Sequence, residues 1–144
     1  MKKNVIVLTA AVLSLLLLSS AGYADLGDRR KDGQVQMKEA QMMIDKGKMM
    51  QKSTFDDKAA MVKEGNEMIS EGTRMMQDGM IADSTAGSSN FQTMGVRMRD
   101  AGMLLLKKGQ QKGPLTAEDK KEIKTQGEHL EKVGRRFLEG GKLM

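Results

Sequence analysis

Glycine recurs at every seventh residue of EGNEMISEGTRMMQDGM, residues 64–80, falling at positions 65, 72 and 79. A period of seven is two helical turns, yet glycine inside a helix costs about 0.8–1.0 kcal/mol relative to alanine. The lattice appears four times: Gly33, Ala40, Gly47; Gly65, Gly72, Gly79; Gly95, Gly102, Gly109; and Gly127, Gly134, Gly141. Eleven of the 16 glycines lie on it, so the spacing is not a by-product of a glycine-rich composition. The segments restart at 33, 65, 95 and 127, which reads as four copies of a unit of roughly 31 residues.

Counting on from the lattice, large apolar residues recur three and four places later. Met43 and Ile44, Met68 and Ile69, Met75 and Met76, Met98, Leu105 and Leu106, Leu130, and Phe137 and Leu138 all fit. Written as a heptad, glycine takes position a and the large residues d and e. The breaks agree with four helices. Ser53-Thr54-Phe55-Asp56-Asp57 offers two overlapping helix starts of capping-box type, ADSTAGSSN at 82–90 is polar and aperiodic, and Lys112-Gly113-Pro114 precedes Thr116 with Glu118 and Asp119 behind it. The expected fold is all-α: an antiparallel four-helix bundle, or helical hairpins that dimerise, with helices of about 20–25 residues.

The glycines that close each unit, Gly47, Gly79, Gly109 and Gly141, read as helix stops. Gly33, Gly65, Gly72, Gly95, Gly102, Gly127 and Gly134 would together cost roughly 6–7 kcal/mol against alanine, comparable with the whole stability of a small domain. Close approach of a facing helix is the physical offset, so these seven and Ala40 are the expected close-packing positions.

Residues 1–24 read as a cleaved export signal. Lys2 and Lys3 are followed by an apolar run from Val5 to Leu18, with small residues at Gly22 and Ala24. The run is shorter than the ~18–20 residues that span a bilayer, and no later stretch is a candidate span. Residues 25–144 are then one methionine-rich helical domain, exported to a periplasm or, in the absence of an outer membrane, secreted. Without Lys2 and Lys3 the net charge is about +3, with acids and bases interleaved and aromatics reduced to Phe55, Phe91 and Phe137, which argues against nucleic acid as a partner. With no cysteine there is no disulfide framework, so packing must supply the stability.

The chain has 15 methionines and no Trp or Cys. Methionine fills irregular, glycine-notched cores because it is unbranched and soft, but it specifies a single packing poorly. Thioethers also bind soft monovalent ions, Cu(I) or Ag(I), where thiolates are unavailable. The pairs spaced for that chemistry are Met43 with Met50, Met42 with Met49, Met68 with Met75, Met76 with Met80, and Met94 with Met98. His129, the one histidine, could be matched with Met37 or Met43 as the ligands of a b-type haem, although it falls on the polar side of its helix. Catalytic constellations are missing: there is no His-Glu-x-x-His, no phosphate loop, no nucleophile elbow and no calcium loop. The sequence therefore points to a non-enzymatic protein that requires no cofactor. The leading reading is an interaction module whose methionine-lined, glycine-notched surface packs against itself, a partner helix or an amphiphile. A soft-metal carrier is the alternative, followed by a sacrificial methionine scavenger of oxidants and the haem bundle.

Overall fold

The computed structural model describes residues 33–81 and 86–141; the export signal read over 1–24 lies outside the described residues. Four helices pack against each other: α1 (Gly33–Lys52), α2 (Lys58–Ile81), α3 (Ala86–Gln110) and α4 (Ala117–Gly141), with no strand among the described residues. None of these helices is long and apolar enough to cross a membrane.

The helices form two intimate pairs, α2 with α3 and α1 with α4, and contacts between the pairs are sparser. Lattice meets lattice within each pair. A methyl group placed on Gly72 would fall 2.6 Å from the Gly95 carbonyl oxygen, and one on Gly95 would fall 2.5 Å from the Gly72 carbonyl oxygen. Gly65 and Gly102 face each other in the same way, at 2.8 and 2.7 Å. Across the other pair, Gly47 meets Gly127 at 2.6 Å, and Gly134 meets the Ala40 carbonyl at 2.8 Å. As one helix advances by seven residues its partner retreats by seven, so each pair runs antiparallel on a ladder of small-residue rungs. Side chains are absent or small at the rungs, which lets backbone approach backbone.

Three of the four glycines expected to stop helices do not. Gly47 lies five residues inside the end of α1. A methyl on Gly79 would fall 2.8 Å from the Ser88 carbonyl oxygen, and one on Gly109 would meet Val62 and Lys58, so both extend the ladder instead. Gly141 does end α4. The left-handed glycine is Gly113, with φ +81°, in the turn after α3. The segment 82–90, expected as a loop, is helical from Ala86 because the lattice continues one heptad back: Ser88 is small enough to face Gly79, and its hydroxyl donates to the Gly79 carbonyl.

The start of α2 also differs. Neither Ser53 nor Thr54 caps it; Asp57 does, its carboxylate accepting from the Ala60 N–H at 3.0 Å. Ser53 instead accepts from the Phe55 N–H at 3.1 Å, and Phe55 adopts φ 57° with its ring buried. The left-handed conformation costs a non-glycine residue roughly 1–2 kcal/mol, which burial of a phenyl ring is large enough to offset. At α4 the cap is reciprocal: the Thr116 hydroxyl accepts from the Asp119 N–H at 3.1 Å while the Asp119 carboxylate accepts from the Thr116 N–H at 2.9 Å.

Positions d and e divide for the most part, although Ile44 at e is buried and Phe137 at d is only half-buried. At d, Met43, Met50, Met68, Met75, Met98, Leu105 and Leu130 are buried in one contiguous cluster between the two pairs. At e, Ile69, Met76, Leu106 and Leu138 are half-buried and flank the rungs of their own pair. The Met76 side chain, for example, occupies the space that a methyl on Gly95 would enter. The seam between the pairs is thus lined by d residues in its middle and by the residues just before each rung at its edges.

Candidate functional site

Methionine dominates that seam. Met43, Met50, Met61, Met68, Met75, Met94 and Met98 are buried, joined by Leu105, Ile123 and Leu130. Three of them stand at one depth. Met68 and Met98 lie between the same two rungs, Gly65–Gly102 and Gly72–Gly95, so their levels differ by about one residue's rise of ~1.5 Å. Met43 lies between Ala40–Gly134 and Gly47–Gly127, facing Leu130 on α4. The ion pairs Lys46–Glu67 and Glu39–Arg74 bracket Met43 and Met68 between the same two levels of α1 and α2. Three fully buried methionines on three helices therefore lie at similar levels of the core.

The other singled-out methionines are distributed differently. Met42 and Met49 are half-buried and pack on the edge of the cluster. Met76 flanks the Gly95 rung, whereas Met80 is 68% exposed, so that pair is split between a helix contact and solvent. Among the described residues the only other large exposed apolar side chain is Met103. Gly65, Gly72, Gly95, Gly102, Gly127 and Gly134 all lie on backbone-to-backbone rungs and Ala40 faces Gly134, while Gly33 opens α1.

Charged side chains close the seam at both edges. Between α1 and α2, Arg74 donates to Glu39 at 2.7 Å and to Glu71 at 2.8 Å and reaches Asp78 at 3.4 Å, and Lys46 pairs with Glu64. Burial works against the Arg74 charge, but the hydrogen bonds to Glu39 and then Glu71 outweigh it and raise its pKa above the ordinary value. Glu39 is buried, and among the described residues its second oxygen has no hydrogen-bond partner, nor does Arg99 Nε. Between α3 and α4, Lys108 donates to Asp119 at 2.6 Å and pairs with Glu122 at 2.7 Å. The Asp119 carboxyl is held well below the usual range by Lys108 first, then Gln111 and Thr116, and Lys108 is raised in turn by Asp119 and Glu122. Within the α1/α4 pair, Gln51 donates to Glu131 at 2.7 Å, and that bond, followed by Arg135, lowers the Glu131 pKa.

The sequence carried a sign of these edges that heptad reading overlooked. Glu39, Lys46, Glu64, Glu71, Asp78 and Lys108 each immediately precede a lattice position. A second feature has no sequence signal because it draws on three helices. An open cleft is walled by Arg97, Asn90 and Thr93 of α3, by His129, Val133, Arg136, Phe137 and Gly140 of α4, and by Gln36 of α1. Among the described residues no methionine lines it, and Met43 is sealed in the core.

Among the described residues no group of three or more His, Asp or Glu side chains could hold a metal ion. With this geometry in view, no protein-family model, curated protein or solved structure matches the chain.

Proposed function

We propose that the chain is an exported, non-catalytic binding protein: an antiparallel four-helix bundle in which two glycine-zipped pairs are the rigid parts and the methionine seam between them is the adaptable binding surface. The observation that supports this is the division of labour in the packing. Backbone-to-backbone rungs leave each pair little freedom, while the seam is filled by seven buried methionines, flexible side chains that repack around different apolar shapes. Opening the seam exposes a continuous thioether-lined face suited to a partner helix, an amphiphile or the same face of a second copy. The test is sedimentation velocity over a wide concentration range together with titration of an apolar fluorescent dye. The reading expects dye uptake or a concentration-dependent dimer that is lost when Met68, Met75 and Met94 are all replaced by Leu, which fills the same volume more stiffly. A strict monomer that takes up no dye contradicts it.

A second reading is favoured by one observation, the shared depth of Met43, Met68 and Met98. Three thioethers from three helices make a soft, low-charge donor set that suits Cu(I) or Ag(I) and rejects hard cations. Competition against a chromophoric chelator under reducing, oxygen-free conditions should then show one Cu(I) per chain, with affinity lost in Met68→Leu and Met98→Leu. Absence of competition removes the metal from the account and leaves these side chains to the seam.

A further inference from the structure

The cleft over α3 and α4 lies outside the methionine seam and has a chemistry of its own. Its volume of about 520 Å³ falls in the range of small-molecule sites. Arg97 projects from α3, and Arg136 and His129 from α4. Among the described residues no aspartate or glutamate lines the cleft. Among the described residues neither guanidinium forms an ion pair, although Arg74, Arg99 and Arg135 each do. Two arginines facing one cavity without a carboxylate repel each other, and an anion seated between them turns that repulsion into attraction.

The remaining walls specify more than charge. Val133 and Phe137 are half-buried and give the cleft an apolar side. The Gln36 amide is already committed: its Nε2 donates to the Phe137 carbonyl at 3.1 Å, and its Oε1 accepts from Asn90 at 3.4 Å. These bonds tie α1 to both walls and hold the cleft's width without help from a ligand. Thr93 contributes a hydroxyl at the rim. The combination is a pre-formed cavity with a cationic rim and an apolar lining.

We infer that this cleft binds a small anionic amphiphile, a phosphate or carboxylate head held between Arg97 and Arg136 with a short apolar tail against Val133 and Phe137. Guanidinium forks match both head groups through paired hydrogen bonds. The site is independent of the methionine seam, so its ligand need not be the seam's.

The experiment is calorimetric titration of the purified protein with three probes: inorganic phosphate, octyl phosphate below its aggregation concentration, and octanol. Octyl phosphate is expected to bind at least tenfold more tightly than inorganic phosphate, and octanol not measurably. Arg97→Gln with Arg136→Gln should weaken octyl phosphate at least tenfold, and Val133→Asn should weaken it severalfold while leaving inorganic phosphate unchanged. Both arginines are exposed, so an unaltered melting temperature checks that the fold is intact. Sedimentation with anionic phospholipid vesicles separates the two sources of such a head group. Vesicle binding without binding of monomeric octyl phosphate overturns the inference, as does equal octyl phosphate affinity in the parent and the double variant.

Discussion

A methyl group is the unit in which the lattice glycines can be judged. On Gly72 it would lie 2.5 Å from the Arg99 amide nitrogen and 2.6 Å from the Gly95 carbonyl oxygen, both backbone atoms that cannot swing aside. Alanine's better helix propensity returns about 1 kcal/mol, while forcing two helices apart costs typically 1–3 kcal/mol or more. Gly72→Ala is therefore expected to lower stability by a net ~0–2 kcal/mol in urea unfolding. Gly140 is the internal control, because the nearest atom to its added methyl is Gln36 Nε2 at 3.9 Å. Gly140→Ala should be neutral or stabilising by up to about 1 kcal/mol. If Gly72→Ala also stabilises, the rungs are not the close contacts described. The heptad spacing of these glycines can be read directly from the sequence. Their individual roles cannot, since Gly47, Gly79 and Gly109 differ from a helix stop only through the backbone opposite them, which sequence does not specify.

Single helices show where local chemistry suffices and where it yields to packing. The start of α4 is legible at Thr116 and Asp119 because a reciprocal cap needs nothing beyond its own first turn. The start of α2 is not, because the buried Phe55 draws the chain through a left-handed turn and moves the cap to Asp57. Thr116→Ala is expected to cost about 0.5–2 kcal/mol. Asp119 adds a pH signature. Its folded carboxyl titrates below its unfolded value of about 4, so its stabilisation is complete above that pH and is lost as the pH falls through the folded value. Lys108 has the opposite sign: its contribution is complete below about pH 10.4 and is lost as pH rises through its raised folded value. The stability difference between the parent and Asp119→Asn, followed by urea unfolding, should be full at pH 6 and shrink steadily between about pH 4 and pH 2. A difference that stays constant to pH 2 would show that Asp119 acts through something other than its charge.

At the scale of the whole molecule, two zipped pairs are held together across a softer seam. All-helical architecture and four units follow from the glycine period, but the choice of α1 with α4 and α2 with α3 does not, since every unit carries the same lattice. The seam's edges carry charges such as Glu39 and Arg74, whose pairing becomes meaningful only once the helices are adjacent. Arg74→Leu should cost on the order of 3 kcal/mol, because it leaves the buried Glu39 carboxylate without its charged partner. Adding Glu39→Leu should recover most of that loss, and a double variant as unstable as the single one would mean that the pair itself supplies net stability. The most direct test of the seam is methionine oxidation by dilute hydrogen peroxide, read residue by residue by mass spectrometry at increasing urea, beside amide exchange in α2 and α3. A seam that opens while the pairs stay zipped predicts that Met68, Met75 and Met98 oxidise through an opening with much weaker urea dependence than exchange of the amides flanking Gly72 and Gly95. Oxidation and exchange that share one free energy and one urea dependence would mean that the four helices open only together, and would contradict a separable methionine seam.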